Sequence, residues 1–344
     1  WSSDVCSSDL TLIAFFCIIG RTTWWHIKIA RHSRVIMATG WVIDHPAHAR
    51  LFAPLMRELS STDDIIIACD RIEVRAMLEN CDGHMPRRRI VWVPRPVGKG
   101  RWRKAWKRRK ISGKALKGVD KVVSVGAPIE LRAAPRKAKR IYITDTEVNH
   151  LAHRLARPTD IIIPTHFIDS LSGPLMNKKA NFHRIDGLHG HIHLRPQLRS
   201  KEVREPPKVL VRRLIGDGIH DSDEILSIPE NWFEGLTIHY ADENEVEGNP
   251  WDLDRTIAGM DGVITQSVTM ASEAVLLGLP TLLVTKAVRG FIDRLIGDGY
   301  PLFVVREHDE SILAAWLAGM HLTDAIEVPD WPDTKSEMLD FIKH

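Results

Sequence analysis

From about residue 37 onward, short apolar runs alternate with segments whose apolar residues recur at helical spacing. Trp41–Ile43, Ile65–Ala68, Ile90–Val93, Lys121–Val125, Ile141–Thr144 and Ile161–Pro164 read as strands. Helices are predicted between them near Leu51–Leu59, over Ile72–Leu78, around Glu130 and over Glu147–Leu155. A polar, basic, proline-containing stretch, Arg195–Lys208, interrupts the pattern. A second alternation then starts at Val209–Val211 and runs through Leu236–Tyr240 to Leu302–Val305. Apolar strands alternating with helices mark parallel sheets covered on both faces. The pattern therefore predicts two doubly wound α/β domains, 37–194 and 209–328, joined by a linker at 195–208 and facing a cleft.

The richest segment is 261–285. It reads as a buried strand (Gly262–Thr265), a polar turn (Gln266–Thr269), a helix (Met270–Leu277), a Gly-Leu-Pro break and a second buried strand (Thr281–Val284). A turn after a parallel strand and at the mouth of a helix presents free backbone N–H groups and a positive dipole end, which suit phosphate. Thr269 is the expected N-cap, Ser267 offers a hydroxyl, and Glu273 leans back over the helix mouth, where a carboxylate suits ribose hydroxyls. An ordinary βαβ unit with Thr269 and Glu273 as caps fits the same pattern.

Other residues offer chemistry. The Asp44-x-Pro46-x-His48 turn follows the first strand, and His48 is a candidate general base at neutral pH. Asp145 and Glu147 follow another strand end, where two carboxylates in different environments can divide acid and base roles. Arg212, at the first strand end of the second half, suits a phosphate. His189, His191 and His193 alternate in HGHIH, so an extended segment would set all three on one face; no trusted carboxylate pattern accompanies them, and no metal is expected. Helix caps, strand ends and surface pairs account for the same residues in the bland alternative.

Composition adds bounds. With 344 residues, 44% apolar and 26% charged, the chain is an ordinary globular one, and Cys6, Cys17, Cys69 and Cys81 form no CxxC pair, as expected of a reduced, cytoplasmic protein. WSSDVCSSDL at the start resembles translated sequencing-adapter read-through, and TLIAFFCIIG after it is too short to span a bilayer. Residues 1–36 are accordingly expected to be a non-native leader, with Met37 as the start. Charge is uneven. Residues 87–117 carry 14 Lys/Arg and no Asp/Glu, so a net charge of +3 leaves −11 for the remainder. Within that block a helix would place Trp102 and Trp106 on one face among Arg103, Arg108 and Arg109. Such a patch suits the anionic inner face of a membrane, with indoles at headgroup level. A polyanion would satisfy the cations too, but no nucleic-acid-binding motif is present, and a solvated helix is the plain alternative.

Several motifs together resemble a known family. IDHPAHARLFAPLMREL (43–59), VSVGAPIELR (123–132), TDTEVNHLAHRLARPTDIIIPT (144–165), RIDGL (184–188), VLVRR (209–213), ITQSVTMASEAVLLGLPTLLV (264–284) and Phe291–Asp293 are similar in order and spacing to domain-of-unknown-function family 354. That family is related to hydrolysing UDP-N-acetylglucosamine 2-epimerases. The resemblance implies a GT-B architecture in which the C-terminal Rossmann-like domain holds a nucleotide-sugar substrate, without a cofactor or metal. It implies either a glycosyltransferase or a 2-epimerase-like enzyme of surface glycan or glycolipid synthesis, with a lipid-linked acceptor as a candidate partner. It also implies a last helix, within 329–344, that crosses back to the first domain. In related transferases a His occupies a loop comparable to that of His48. One departure matters: Ser267-Val268 stands where relatives commonly have Gly-Gly, and glycines there let backbone approach a pyrophosphate. A GT-B-like binding or scaffold protein of polysaccharide assembly, without catalysis, is the alternative that this departure motivates.

Overall fold

A computed structural model describes residues 38–195, 204–214, 225–241, 248–307, 309–321 and 330–344. Residues 1–37, where a leader and the start were expected, and most of the Arg195–Lys208 linker lie outside the described residues. The first sheet contains β1 (Thr39–Ile43), β2 (Ile65–Cys69), β3 (Arg89–Val93), β4 (Lys121–Val125), β5 (Lys139–Ile143), β6 (Asp160–Pro164) and β7 (Asn181–Ile185). Their order is β3-β2-β1-β4-β5-β6-β7, all parallel. The second sheet contains β8 (Lys208–Arg212), β9 (Thr237–Tyr240), β10 (Gly262–Thr265), β11 (Thr281–Val284) and β12 (Leu302–Val305), in the order β12-β11-β10-β8-β9, again parallel. Strand order reverses beside β1 in one sheet and beside β8 in the other, and each reversal opens a crevice at the carboxyl ends of the strands.

Each sheet is buried on both faces, which is why its strands read as unbroken apolar runs. In β1, Trp41 and Ile43 enter one core and Val42 the opposite one. In β10, Val263 and Ile264 divide between two cores in the same way. The first lobe is covered by α1 (Pro46–Leu59), α2 (Ile72–Glu79), α3 (Arg101–Ala115), α4 (Pro128–Ala133), α5 (His150–Leu155) and α6 (His189–His193). The second carries α7 (Leu253–Ala258), α8 (Val268–Leu276), α9 (Gly290–Gly297) and α10 (Glu310–His321).

Among the contacts between the lobes, four stand out. Helix α11 (Thr334–Lys343), reached from the second lobe, buries Met338 and Ile342 against the first-lobe core beside α1. Lys121 Nζ donates to Ile342 O and Lys139 Nζ to Phe341 O, so two strand-start lysines satisfy carbonyls at its negative end. Trp251 of the second lobe sinks into the first, donating to Met77 O at 2.8 Å and stacking on His84 at 4.7 Å. Gly290 opens α9 so close to His166 O that a Cβ there would collide with backbone, so only glycine permits this approach. The fourth contact, Arg50 with Glu273, lies in the cleft.

Candidate functional site

The first-lobe side of the cleft is built on the turn after β1. Pro46 opens α1, where its missing N–H costs nothing, and His45 Nδ1 accepts from Ala47 N at 3.2 Å as the N-cap. Asp44 accepts from Arg108 at 2.8 Å, and its own N–H donates to His48 Nδ1 at 3.2 Å. Burial would raise the Asp44 carboxyl, yet the Arg108 guanidinium holds it down at about 2. Burial pushes the His48 imidazole down to about 4 against the opposing pull of Asp44, so the ring is neutral at pH 7. A neutral ring that accepts at Nδ1 carries its proton on Nε2. His48 thus lines the cleft as expected, but as a hydrogen-bond donor rather than with a basic lone pair.

The basic nitrogen comes from elsewhere. HGHIH is helical in α6, not extended, so its three imidazoles do not share a face. Among the described residues no cluster of three metal-ligating side chains forms. His189 Nδ1 lies 3.2 Å from Asp145 Oδ2, a contact that points an Nδ1 proton at the carboxylate and leaves Nε2 on the opposite side of the ring. His193 Nδ1 faces His189 O at 3.0 Å, and its Nε2 faces Glu273 at 3.4 Å. His191 turns away, accepting from Leu188 N and packing on Trp331.

The second-lobe side is the β10–α8 turn. Its N-cap is Ser267, whose Oγ accepts from Met270 N at 3.4 Å, so α8 begins at Val268 and Thr269 lies inside the first turn. Ser267 has φ −85° and ψ 113°, extended backbone open to any residue, and Val268 enters the helix directly. At Ser267 the turn therefore requires no glycine. Glu273 is buried and meets Arg50 of α1 at 2.9 Å through both oxygens. Burial favours its neutral form, but Arg50 and His193 outweigh this and hold the carboxyl at about 2. Arg212 closes β8 and donates to Ala241 O at 3.1 Å.

These groups line two adjoining cavities. The larger, about 430 Å³, runs from His45 and Arg50 to Arg212, Ser267, Thr269 and Glu273, with Tyr240 and His239 at its far wall. The smaller, about 160 Å³, holds His48, Asp145, His189 and His193, and shares His45, Ala47, Thr269 and Glu273 with the first. The shared residues make a common wall between the two, and both cavities draw lining from both lobes.

Two expectations need correction. Glu147 lines neither cavity: it is buried, accepting from Gly290 N at 2.9 Å and Ile168 N at 3.2 Å, because an unpaired helix mouth and a loop amide outcompete the cleft for its carboxylate. Its burial raises its titration above the ordinary value for a glutamate despite those donors. Arg108 belongs to no surface patch. It is 2% exposed, and forks onto Glu130 at 2.7 and 3.0 Å besides its bond to Asp44. Trp102, Arg103, Trp106 and Arg109 are exposed on α3, away from the cavities. Arg50, His189 and His193 were not anticipated as site residues. Arg50 carries the α1 register of a polar position facing out of the first lobe, and its carboxylate partner, Glu273, comes from the second.

Solved structures share this architecture. A putative UDP-N-acetylglucosamine 2-epimerase from Listeria monocytogenes matches with a TM-score of 0.59 at 11% identity, over 88% of this chain and 94% of that one. The UDP-GlcNAc 2-epimerase of Methanocaldococcus jannaschii, solved with UDP-GlcNAc and UDP, matches at 0.58 and 10%, over 89% and 99%. An Arabidopsis thaliana protein complexed with UDP-L-rhamnose matches at 0.51 and 10%, over 89% and 99%. The chain has the GT-B fold. No protein-family model and no curated protein sequence matches it.

Proposed function

We propose that the cleft binds a nucleotide sugar and that the protein is an enzyme acting on it, either a glycosyltransferase or a UDP-N-acetylglucosamine 2-epimerase-like enzyme, in surface glycan or glycolipid synthesis. Membership of domain-of-unknown-function family 354 is part of this reading. The observation that carries it is the pair of cavities that share His45, Ala47, Thr269 and Glu273 as lining, one with a helix mouth and Arg212, the other with His48, Asp145 and His189. Structural neighbours were solved with UDP, UDP-GlcNAc or UDP-L-rhamnose.

In this reading the diphosphate lies at the mouth of α8, near Ser267, Thr269 and Arg212, where backbone N–H groups and a guanidinium meet negative charge. The sugar extends toward the smaller cavity. There His189, oriented by Asp145, takes a proton through Nε2, and His48 donates from its own Nε2 to an oxygen gaining charge. Glu273 contacts the ribose only by sharing its carboxylate with Arg50. That prior engagement favours a second reading, in which the cleft binds without turnover. A thermal-shift panel of UDP, GDP, CDP and their sugars, with release of free UDP followed in parallel, tests both. Stabilisation with turnover supports the enzyme, stabilisation alone the binder, and no stabilisation of folded protein by any nucleotide rejects both.

A further inference from the structure

Helix α3 carries the most one-sided surface of the molecule. Arg101, Arg103, Lys104, Lys107, Arg109, Lys110 and Lys114 are all exposed, and among the described residues none meets a carboxylate. Trp102 is 71% exposed and Trp106 66%, far more than folding requires of an indole. Lying one turn apart, they share the outward flank, and each ring sits beside a cation: Arg101 lies 5.4 Å from Trp102 and Lys110 5.3 Å from Trp106. The inward flank is fixed by Arg108 and Ser112, both bonded to Glu130. The exposed face is therefore held rigidly and cannot roll its tryptophans inward.

We propose that the outward face of α3 docks the protein onto an anionic phospholipid bilayer. Seven exposed cations, none with a carboxylate partner among the described residues, supply long-range attraction to the headgroups. The two indoles supply what a simple polyanion site lacks, an apolar body for the headgroup–acyl boundary with a polar N–H toward water. Topology sets the orientation. Helices between parallel strands run antiparallel to them, so α3 begins at the carboxyl end of β3, the same edge of the sheet on which the β1 turn and cleft lie. Ile72, 65% exposed at the start of α2, lies on that edge as well. A docked α3 thus brings the cleft side of the first lobe near the membrane. The proposal rests on α3 alone and holds whatever the cleft binds.

Cosedimentation of the full chain with phosphatidylcholine vesicles, with and without phosphatidylglycerol, tests this. Binding is expected to anionic vesicles only and to weaken as salt rises. Changing Lys107, Arg109 and Lys110 to Gln, with Arg108 left in place, should lower partitioning by about 100-fold, from roughly fivefold per cation. Trp102→Ala with Trp106→Ala should weaken binding while preserving its salt dependence, and circular dichroism checks that each variant is folded. Equal binding to neutral and anionic vesicles, no binding to either, or binding unchanged by the Gln variant overturns the proposal. So does displacement from vesicles by stoichiometric duplex DNA, which would mark α3 as a nucleic-acid face.

Discussion

Changing Arg50 to Met would remove the cation from a buried inter-lobe pair while keeping most of the side-chain volume. Glu273 is 2% exposed and Arg50 11%, so the carboxylate left behind has little water to turn to. Breaking such a pair on one side costs about 3–5 kcal/mol, because a buried charge is stranded. Titration gives an independent scale. Glu273 drops from an ordinary 4.5 to about 2; at 1.36 kcal/mol per unit, this amounts to about 3 kcal/mol from all its partners together. The Arg50→Met variant should lose about 6 °C of Tm, at about 2 °C per kcal/mol for a chain of this size. Adding Glu273→Gln should return most of that loss, since no charge is then stranded. The acid limb has a definite sign. A carboxyl depressed in the fold contributes its full stabilisation above its unfolded value and loses it as pH falls from about 4.5 toward 2. The gap between wild type and Arg50→Met should therefore close across that window. A Tm loss under about 2 °C at pH 7, or a gap that persists in acid, would refute the reasoning. Either result would mean that Glu273 is hydrated by lobe opening rather than locked by Arg50.

Two further outcomes follow from the cleft. His189→Gln and Asp145→Asn should each lower turnover of the cleft's substrate by roughly a hundredfold or more while nucleotide affinity stays within a few-fold; equal losses of both would make them binding residues instead. Ser267→Ala should cost about 1 kcal/mol of stability through the lost N-cap, and Ser267→Gly only a few tenths, as urea unfolding can measure; a larger cost for Gly would show that the turn depends on more than the cap.

The fold was legible because both sheets are buried on both faces. β10 and β11 fall at Gly262–Thr265 and Thr281–Val284, where continuous apolar runs placed them. β7 escaped notice because it is an exposed edge strand, Asn-Phe-His-Arg-Ile, with only Ile185 fully buried. The cleft was less legible, because each of its decisive features depends on a partner distant in sequence. Nothing local in a run of cations distinguishes Arg108, the one that Glu130 and Asp44 draw inside. HGHIH alternates like a strand, yet it is helical where it packs among α1, α11 and α8. Glu147 lies beside Asp145 in sequence, yet the two carboxylates answer to different lobes: Asp145 meets His189, and Glu147 the mouth of α9. Ser267-Val268 departs from Gly-Gly, and its serine caps α8 in ordinary backbone geometry, a role that the departure alone does not announce.

Calorimetric titration of UDP and UDP-GlcNAc into the full chain, beside its Arg212→Met variant, tests the central claim most directly. Arg212 pairs with Thr265 at the strand ends beside the β10–α8 turn and lines the larger cavity with Ser267 and Thr269. The account predicts saturable one-to-one binding to the wild type, weakened about tenfold or more in the variant, as befits a charge-assisted contact worth roughly 1.5–3 kcal/mol. Binding of equal strength in both proteins, or no heat of binding from UDP, GDP or CDP nucleotides in folded wild type, would contradict it.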